Sequence, residues 1–134
     1  MSFIVCYLKN VNPITTEILI APEGSTELCT LPNGFTYVSI PKGAAIDAEQ
    51  HQSVLDTLDY PALTPELVEQ ISATSTHVQL INERVRDKIA EQYSVYDELK
   101  LLRTAPSPEF EAYNEHTEYC RQWGREQKAL LGLA

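Results

Sequence analysis

Thr64-Pro65-Glu66-Leu67-Val68-Glu69-Gln70-Ile71 is the stretch on which the fold turns. Thr64 suits an N-cap, Pro65 the first helical position and Glu66 the positive end of a helix dipole. Leu67, Val68 and Ile71 then open a 3.6-residue apolar period that persists through most of the remaining chain. Upstream of Thr64 the grammar is different: short β-branched and aromatic runs separated by turn residues. The sequence therefore predicts an α+β fold, a small N-terminal antiparallel β meander followed by three or four α-helices. The expected divisions are a β module over 1–45, a connecting segment over 46–64 and a helical region over 65–134.

In the β module, Phe3–Leu8 reads as a first strand and Glu17–Ala21 as a second, with Asn10, Asn12 and Pro13 marking the turn between them. Glu27–Leu31 fits a short strand or the start of a helical turn. Pro32-Asn33-Gly34 is a turn signal, because Asn and Gly tolerate the positive φ that tight turns demand. Phe35–Ile40 has large side chains at both parities, as a strand covered on both faces would. Three or four such strands are marginal alone and require a covering layer or a partner. In the connecting segment, Asp47 is a candidate cap for one or two helical turns reaching Leu55.

In the helical region, Val78, Ile81, Val85 and Ile89 form one narrow seam along a helix ending near Gln92. Ser94 with Asp97 predicts a capping box, and Val95, Leu99 and Leu102 make the stripe of the next helix. Ser107-Pro108-Glu109 repeats the start signal of Thr64-Pro65-Glu66. The last helix carries Phe110, Tyr113, Thr117, Cys120 and Leu131 along one line, and Ala112, His116, Tyr119, Trp123 and Leu130 along another. Two lines predict a broad apolar face, and Tyr96, Phe110, Tyr113, Tyr119 and Trp123 are the expected partner-binding residues.

Composition narrows the function classes. The 134 residues carry a net charge of −9, spread as −5 over residues 1–65 and −4 over 66–134. Phosphate binding draws on clustered Lys and Arg, so a nucleic-acid reader is not expected. Cys6, Cys29 and Cys120 are too few and too widely spaced for a disulfide framework or a zinc site, and read as reduced apolar fillers. No run approaches the roughly 20 apolar residues of a membrane span, and the first residues lack the basic start of a signal peptide. His51, His77 and His116 lie in three separate elements. No nucleotide, zinc-protease or nucleophile-elbow motif occurs. The expectation is a non-enzymatic protein with no catalytic residues, no cofactor and no metal. Its oligomeric state is left open.

Two segments carry a family resemblance. The first runs from Arg86-Asp87-Lys88-Ile89 through Tyr93-Ser94-Val95-Tyr96-Asp97-Glu98-Leu99-Lys100-Leu101-Leu102-Arg103, then Phe110-Glu111-Ala112-Tyr113-Asn114 and Cys120-Arg121-Gln122-Trp123-Gly124. It resembles the C-terminal helical part of small tail-fibre assembly and tail-associated proteins of tailed phages and prophages. The second, Asn33-Gly34-Phe35-Thr36-Tyr37-Val38-Ser39-Ile40-Pro41 followed by Asp47 and His51, resembles their N-terminal β module. It departs from that pattern after His51, where Gln52-Ser53-Val54-Leu55-Asp56-Thr57 replaces a glycine-rich turn. The resemblance implies a protein of the host bacterial cytoplasm, or of the virion tail, that binds a tail fibre or another tail component. It would act as a chaperone in fibre folding and virion assembly. The alternatives are a structural subunit retained in the tail or baseplate, and a small acidic inhibitor of a host protein.

Overall fold

A computed structural model describes residues 2–10, 12 and 14–133. It is an α+β chain: strands β1 (Phe3–Leu8), β2 (Thr26–Thr30) and β3 (Phe35–Ile40), then helices α1 (Gln52–Thr57), α2 (Pro65–Thr74), α3 (Thr76–Ala90), α4 (Val95–Arg103) and α5 (Pro108–Leu130). The expected turn residue Pro13 lies outside the described residues.

The sheet is antiparallel with order β1-β3-β2, so it is not a simple meander. The Pro32-Asn33-Gly34 turn makes β2 and β3 a hairpin. Gly34 takes a φ of +88°, its N–H donates to the Leu31 carbonyl at 2.9 Å, and the Phe35 N–H donates to Asn33 Oδ1 at 3.0 Å. The other edge of β3 pairs with β1, aligning Val38 with Val5 and Tyr37 with Cys6. The central place goes to β3 because five of its six residues are buried.

Glu17–Ala21 is not a strand of this sheet, contrary to expectation. The free edge of β1 is already occupied at Cys6, whose N–H and carbonyl bond to the Asp59 carbonyl and N–H at 2.9 and 2.8 Å. Residues 17–21 lie instead against the face of the sheet, where Leu19 is buried with Val5, Tyr7, Val38, Ile40 and Val54. Helix α1 begins at Gln52 with His51 as its N-cap, five residues after the predicted Asp47 start. Asp47 Oδ1 accepts from the Glu49 N–H, and Gln50 is engaged with Ile20, so neither belongs to a helix.

The contacts divide the chain into two compact units, residues 1–79 with 128–134, and residues 80–127. Turn signals and the change of period divide the sequence near 45 and 64 instead. In the first unit both faces of the sheet are covered. Ile4, Cys6, Leu28 and Tyr37 meet Ile71, Val78 and Leu133 on one side. The Leu19–Val54 layer closes the other. A small sheet gains its stability from such double coverage. The tail of the chain is held in this unit by a Schellman-type cap, Leu133 N–H to Lys128 carbonyl at 3.1 Å and Gly132 N–H to Ala129 carbonyl at 2.9 Å. Ser39 Oγ donates to the Leu131 carbonyl and Ser2 Oγ to the Leu130 carbonyl, at 2.9 and 2.6 Å. At Gly132 a Cβ would come within 2.8 Å of the Ser2 carbonyl oxygen, and φ is +84°. No other residue suits that position.

Candidate interaction surface

In the second unit α5 lies close on α3. Gly124 makes this possible, since a Cβ there would meet Val85 Cγ2 at 2.7 Å. Thr117 and Cys120 are buried along the same line. Around it, Lys88 Nζ sits 4.7 Å from the Trp123 ring centroid, and Tyr93 meets Tyr113 edge-on at 5.0 Å. Burial, then the charge of Glu98, pushes the Tyr113 phenol up from its ordinary value.

This packing sorts the predicted partner-binding residues. Phe110, Tyr113 and Trp123 are half-buried, with Tyr113 against Tyr93 and Trp123 against Lys88. Tyr96 and Tyr119 are held out to solvent, 84 % and 71 % exposed. The two predicted apolar lines of α5 do not form one broad buried face. Ala112, Tyr119 and Leu130 are exposed, and the line through Tyr113, Thr117 and Cys120 faces inward. A close neighbour covers one helical line fully, and of the second line only His116 and Trp123, beside Lys88, are partly covered.

The apolar stripe of α4 is the more exposed surface. The predicted capping box is present: the Asp97 N–H donates to Ser94 Oγ at 3.1 Å, and the Ser94 N–H donates to Asp97 Oδ2 at 3.0 Å. These bonds to Ser94 hold the Asp97 carboxyl below the usual carboxylate value. Glu98 joins Asp97 in the first turn, and Lys100 and Arg103 lie in the last, so the charges follow the helix dipole. Helix α4 is therefore secured by local interactions and buries none of its residues. Val95, Leu99 and Leu102 are 69 %, 51 % and 59 % exposed.

A second exposed apolar row lies in the first unit. Ile18 and Ile20 face solvent while Leu19 between them anchors the segment in the core, and Ile14, in a bend where its N–H donates to Asn12 Oδ1, is exposed as well. The Gln50 side chain fastens it, accepting from the Ile20 N–H at 2.8 Å and donating to the Ile20 carbonyl at 2.7 Å. Glu17 Oε2 approaches His51 Nδ1 at 3.2 Å beside it. Sequence periodicity missed this row because Ile18 and Ile20, in a segment that reads as a strand, look like core.

No comparison identifies a relative. No protein-family model matches the chain, and neither a curated protein nor a solved structure is significantly similar to it.

His116 Nε2 lies 3.7 Å from Cys120 Sγ, the one thiol–imidazole approach recorded among the described residues. The same nitrogen is 3.3 Å from the Lys88 carbonyl oxygen. An Nε2 that donates to that carbonyl is protonated and cannot accept the thiol proton, and Cys120 is 1 % exposed. Burial, then the charge of Asp59, pushes the Cys6 thiol up to about 11, which disfavours a thiolate. Cys29 is shifted in the same direction by burial. Among the described residues no group of three or more His, Cys, Asp or Glu side chains is placed to hold a metal ion. No helix among them is long and apolar enough to cross a membrane. A cleft of about 460 Å³ lies between α4 and the start of α5, lined by Tyr93, Asp97, Lys100 and Leu101 among others. Asp97 there is committed to its cap and Lys100 is exposed, so no buried charge is aimed into the cleft.

Proposed function

We propose that this protein is a non-enzymatic phage tail protein that binds a tail fibre or other tail component and assists its folding, assembly or attachment. One observation carries the reading. Ile18 and Ile20 stand in solvent, at 69 % and 62 % exposure, on a segment anchored through Leu19 and Gln50, and Ile14, 94 % exposed, precedes them. An apolar row of this kind complements the side of a β-rich chain that has not yet found its own neighbours. Fibrous β trimers expose such surface for long periods because their non-local pairings close slowly. The tail-region resemblance of residues 33–51 and 86–124 supports the same partner class.

Co-expression with a phage tail-fibre protein tests the proposal. Soluble trimer yield should rise several-fold when this protein is present. Ile18→Glu combined with Ile20→Glu should remove the gain without unfolding the protein, since both side chains are outside the core. Unchanged fibre solubility with and without the protein, together with no detectable complex, would refute the reading. Mass spectrometry of purified virions then separates an assembly factor, absent from particles, from a subunit retained near fibre stoichiometry.

A further inference from the structure

A groove of about 380 Å³ runs along one side of the α3–α5 contact and is closed at one end by the first turn of α4. Arg86, Ile89 and Tyr93 line it from α3 and the turn that follows, and Tyr113, Thr117 and Arg121 line it from α5. Gly124 lies against Val85 and Tyr113 against Tyr93, so the two helices run antiparallel. In that register Arg86 and Arg121 stand level with each other on opposite walls of the groove. At about 100° per residue, both fall on the side of the contact away from Lys88 and Trp123. Two guanidinium groups thus confront each other in a chain of net charge −9. Like charges so placed repel, and the chain does not relieve them. Among the described residues the ion pairs are those of Lys9, His51 and Arg125, and the guanidinium hydrogen bonds are those of Arg125. Glu118, three residues before Arg121 and so within reach on the helix, is bonded to Arg125 instead.

We propose that this groove binds a monocarboxylate with an apolar body, its carboxylate held between Arg86 and Arg121 and its body laid over Ile89 toward Tyr93 and Tyr113. An anion between the two guanidinium groups turns their repulsion into attraction, and each planar fork matches a carboxylate. The floor is apolar, formed by Ile89 and the edge-on Tyr93–Tyr113 pair. Its volume lies within the range of small-molecule pockets. Tyr113 and Arg121 are eight residues apart on α5, about 12 Å along its axis, which sets the length of the body. Glu98 closes the other end, and the Tyr113 phenol feels its charge more strongly than that of Arg121. That carboxylate repels a second anionic group, so a single acid is selected over a diacid. The site goes beyond the tail-binding reading and does not depend on it, because it uses neither Ile18 nor Ile20.

Phenylbutyrate is the probe, one carboxylate on an apolar body that fits the length of the groove. Titrated into the full chain and followed by amide NMR, it should give saturable shifts at Ile89, Tyr93 and Tyr113. Its size implies a dissociation constant of about 1 mM or tighter. Phenylbutanol, the same body without the charge, should bind about tenfold more weakly. Arg86→Gln and Arg121→Gln should each weaken the acid about tenfold and leave the alcohol unaffected. Both side chains are exposed, so the circular dichroism spectrum of each variant should match the parent. Shifts that fail to saturate by roughly 10 mM acid overturn the proposal. Equal binding of acid and alcohol by the wild-type chain overturns it too, a comparison that needs no variant. So does full affinity for the acid in both arginine variants, which would put the carboxylate elsewhere.

Discussion

The side-chain amide of Gln50 hydrogen-bonds both the N–H and the carbonyl of Ile20, acting as a one-residue substitute for a neighbouring strand. Segment 17–21 has the composition of a strand but no strand partner within the sheet. Gln50 satisfies Ile20, and the Lys9 carbonyl accepts from the Glu17 N–H at 2.7 Å. An extended segment fastened in this way keeps its backbone polar groups paired while its outer side chains remain exposed.

Gln50→Ala should therefore loosen the segment. Both bonds are partly solvent-accessible, so the expected loss of stability is about 0.5–1.5 kcal/mol. Amide hydrogen exchange at Ile20 should accelerate well before global unfolding is visible. Gln50→Glu should behave similarly, because a carboxylate cannot donate to the Ile20 carbonyl. Protection at Ile20 that is unchanged in both variants would contradict the role assigned to Gln50.

Gly124→Ala tests the α3–α5 contact. Alanine favours helix over glycine by up to about 1 kcal/mol, yet its Cβ would meet Val85 at 2.7 Å. The overlap should prevail, with a net destabilisation of about 1–2 kcal/mol in denaturant titration. Combining it with Val85→Ala should recover part of that loss. Additive single and double variants would mean that the two residues are not in contact.

Trp123 and Tyr119 should respond oppositely to truncation. Trp123 is half-buried beneath Lys88, so Trp123→Ala should cost about 1–3 kcal/mol of stability. Tyr119→Ala removes an exposed ring and should stay within about 0.5 kcal/mol of the parent. Equal midpoints for the two variants in urea would reverse the assignment of faces on α5.

The Cys6 thiol gives the fold an alkaline limit. Its folded value is pushed up to about 11 from 9.0, so the folded state favours the neutral form. The resulting contribution to stability is fully present below about pH 9 and is lost as pH rises from about 9 to about 11. Cys6→Ala should flatten that part of the stability profile, at the cost of a small cavity. An unchanged slope between these pH values would show that Cys6 is not its source.

Local chemistry was the legible part of the sequence. Thr64 and Ser107 cap α2 and α5 through the Leu67 and Phe110 N–H groups, and the Ser94–Asp97 box is present. Each of those signals is complete within four residues. The Asn33-Gly34 turn and the double-sided burial of β3 are similarly local in origin. Strand order was not legible, because whether Glu17–Ala21 joins the sheet depends on Asp59 reaching the edge of β1 first. The site was legible only in outline. All five of Tyr96, Phe110, Tyr113, Tyr119 and Trp123 were assigned to one surface; Tyr96 and Tyr119 are exposed and Phe110, Tyr113 and Trp123 half-buried, a division set by what packs on α5.

The sequence by itself determined the α+β class, the Asn33-Gly34 turn, the starts of α2, α4 and α5 and the apolar stripe on every long helix, because these follow from capping, turn conformation and periodicity over a few residues. Tertiary structure alone decided which stripes are covered. Val78 of the α3 seam goes to the sheet, Ile81 and Val85 meet α5 at the absent side chain of Gly124, and α4 is left with Val95, Leu99 and Leu102 in water. Burial is a property of pairs of surfaces distant in sequence, and no periodicity within one helix specifies which surface it will meet.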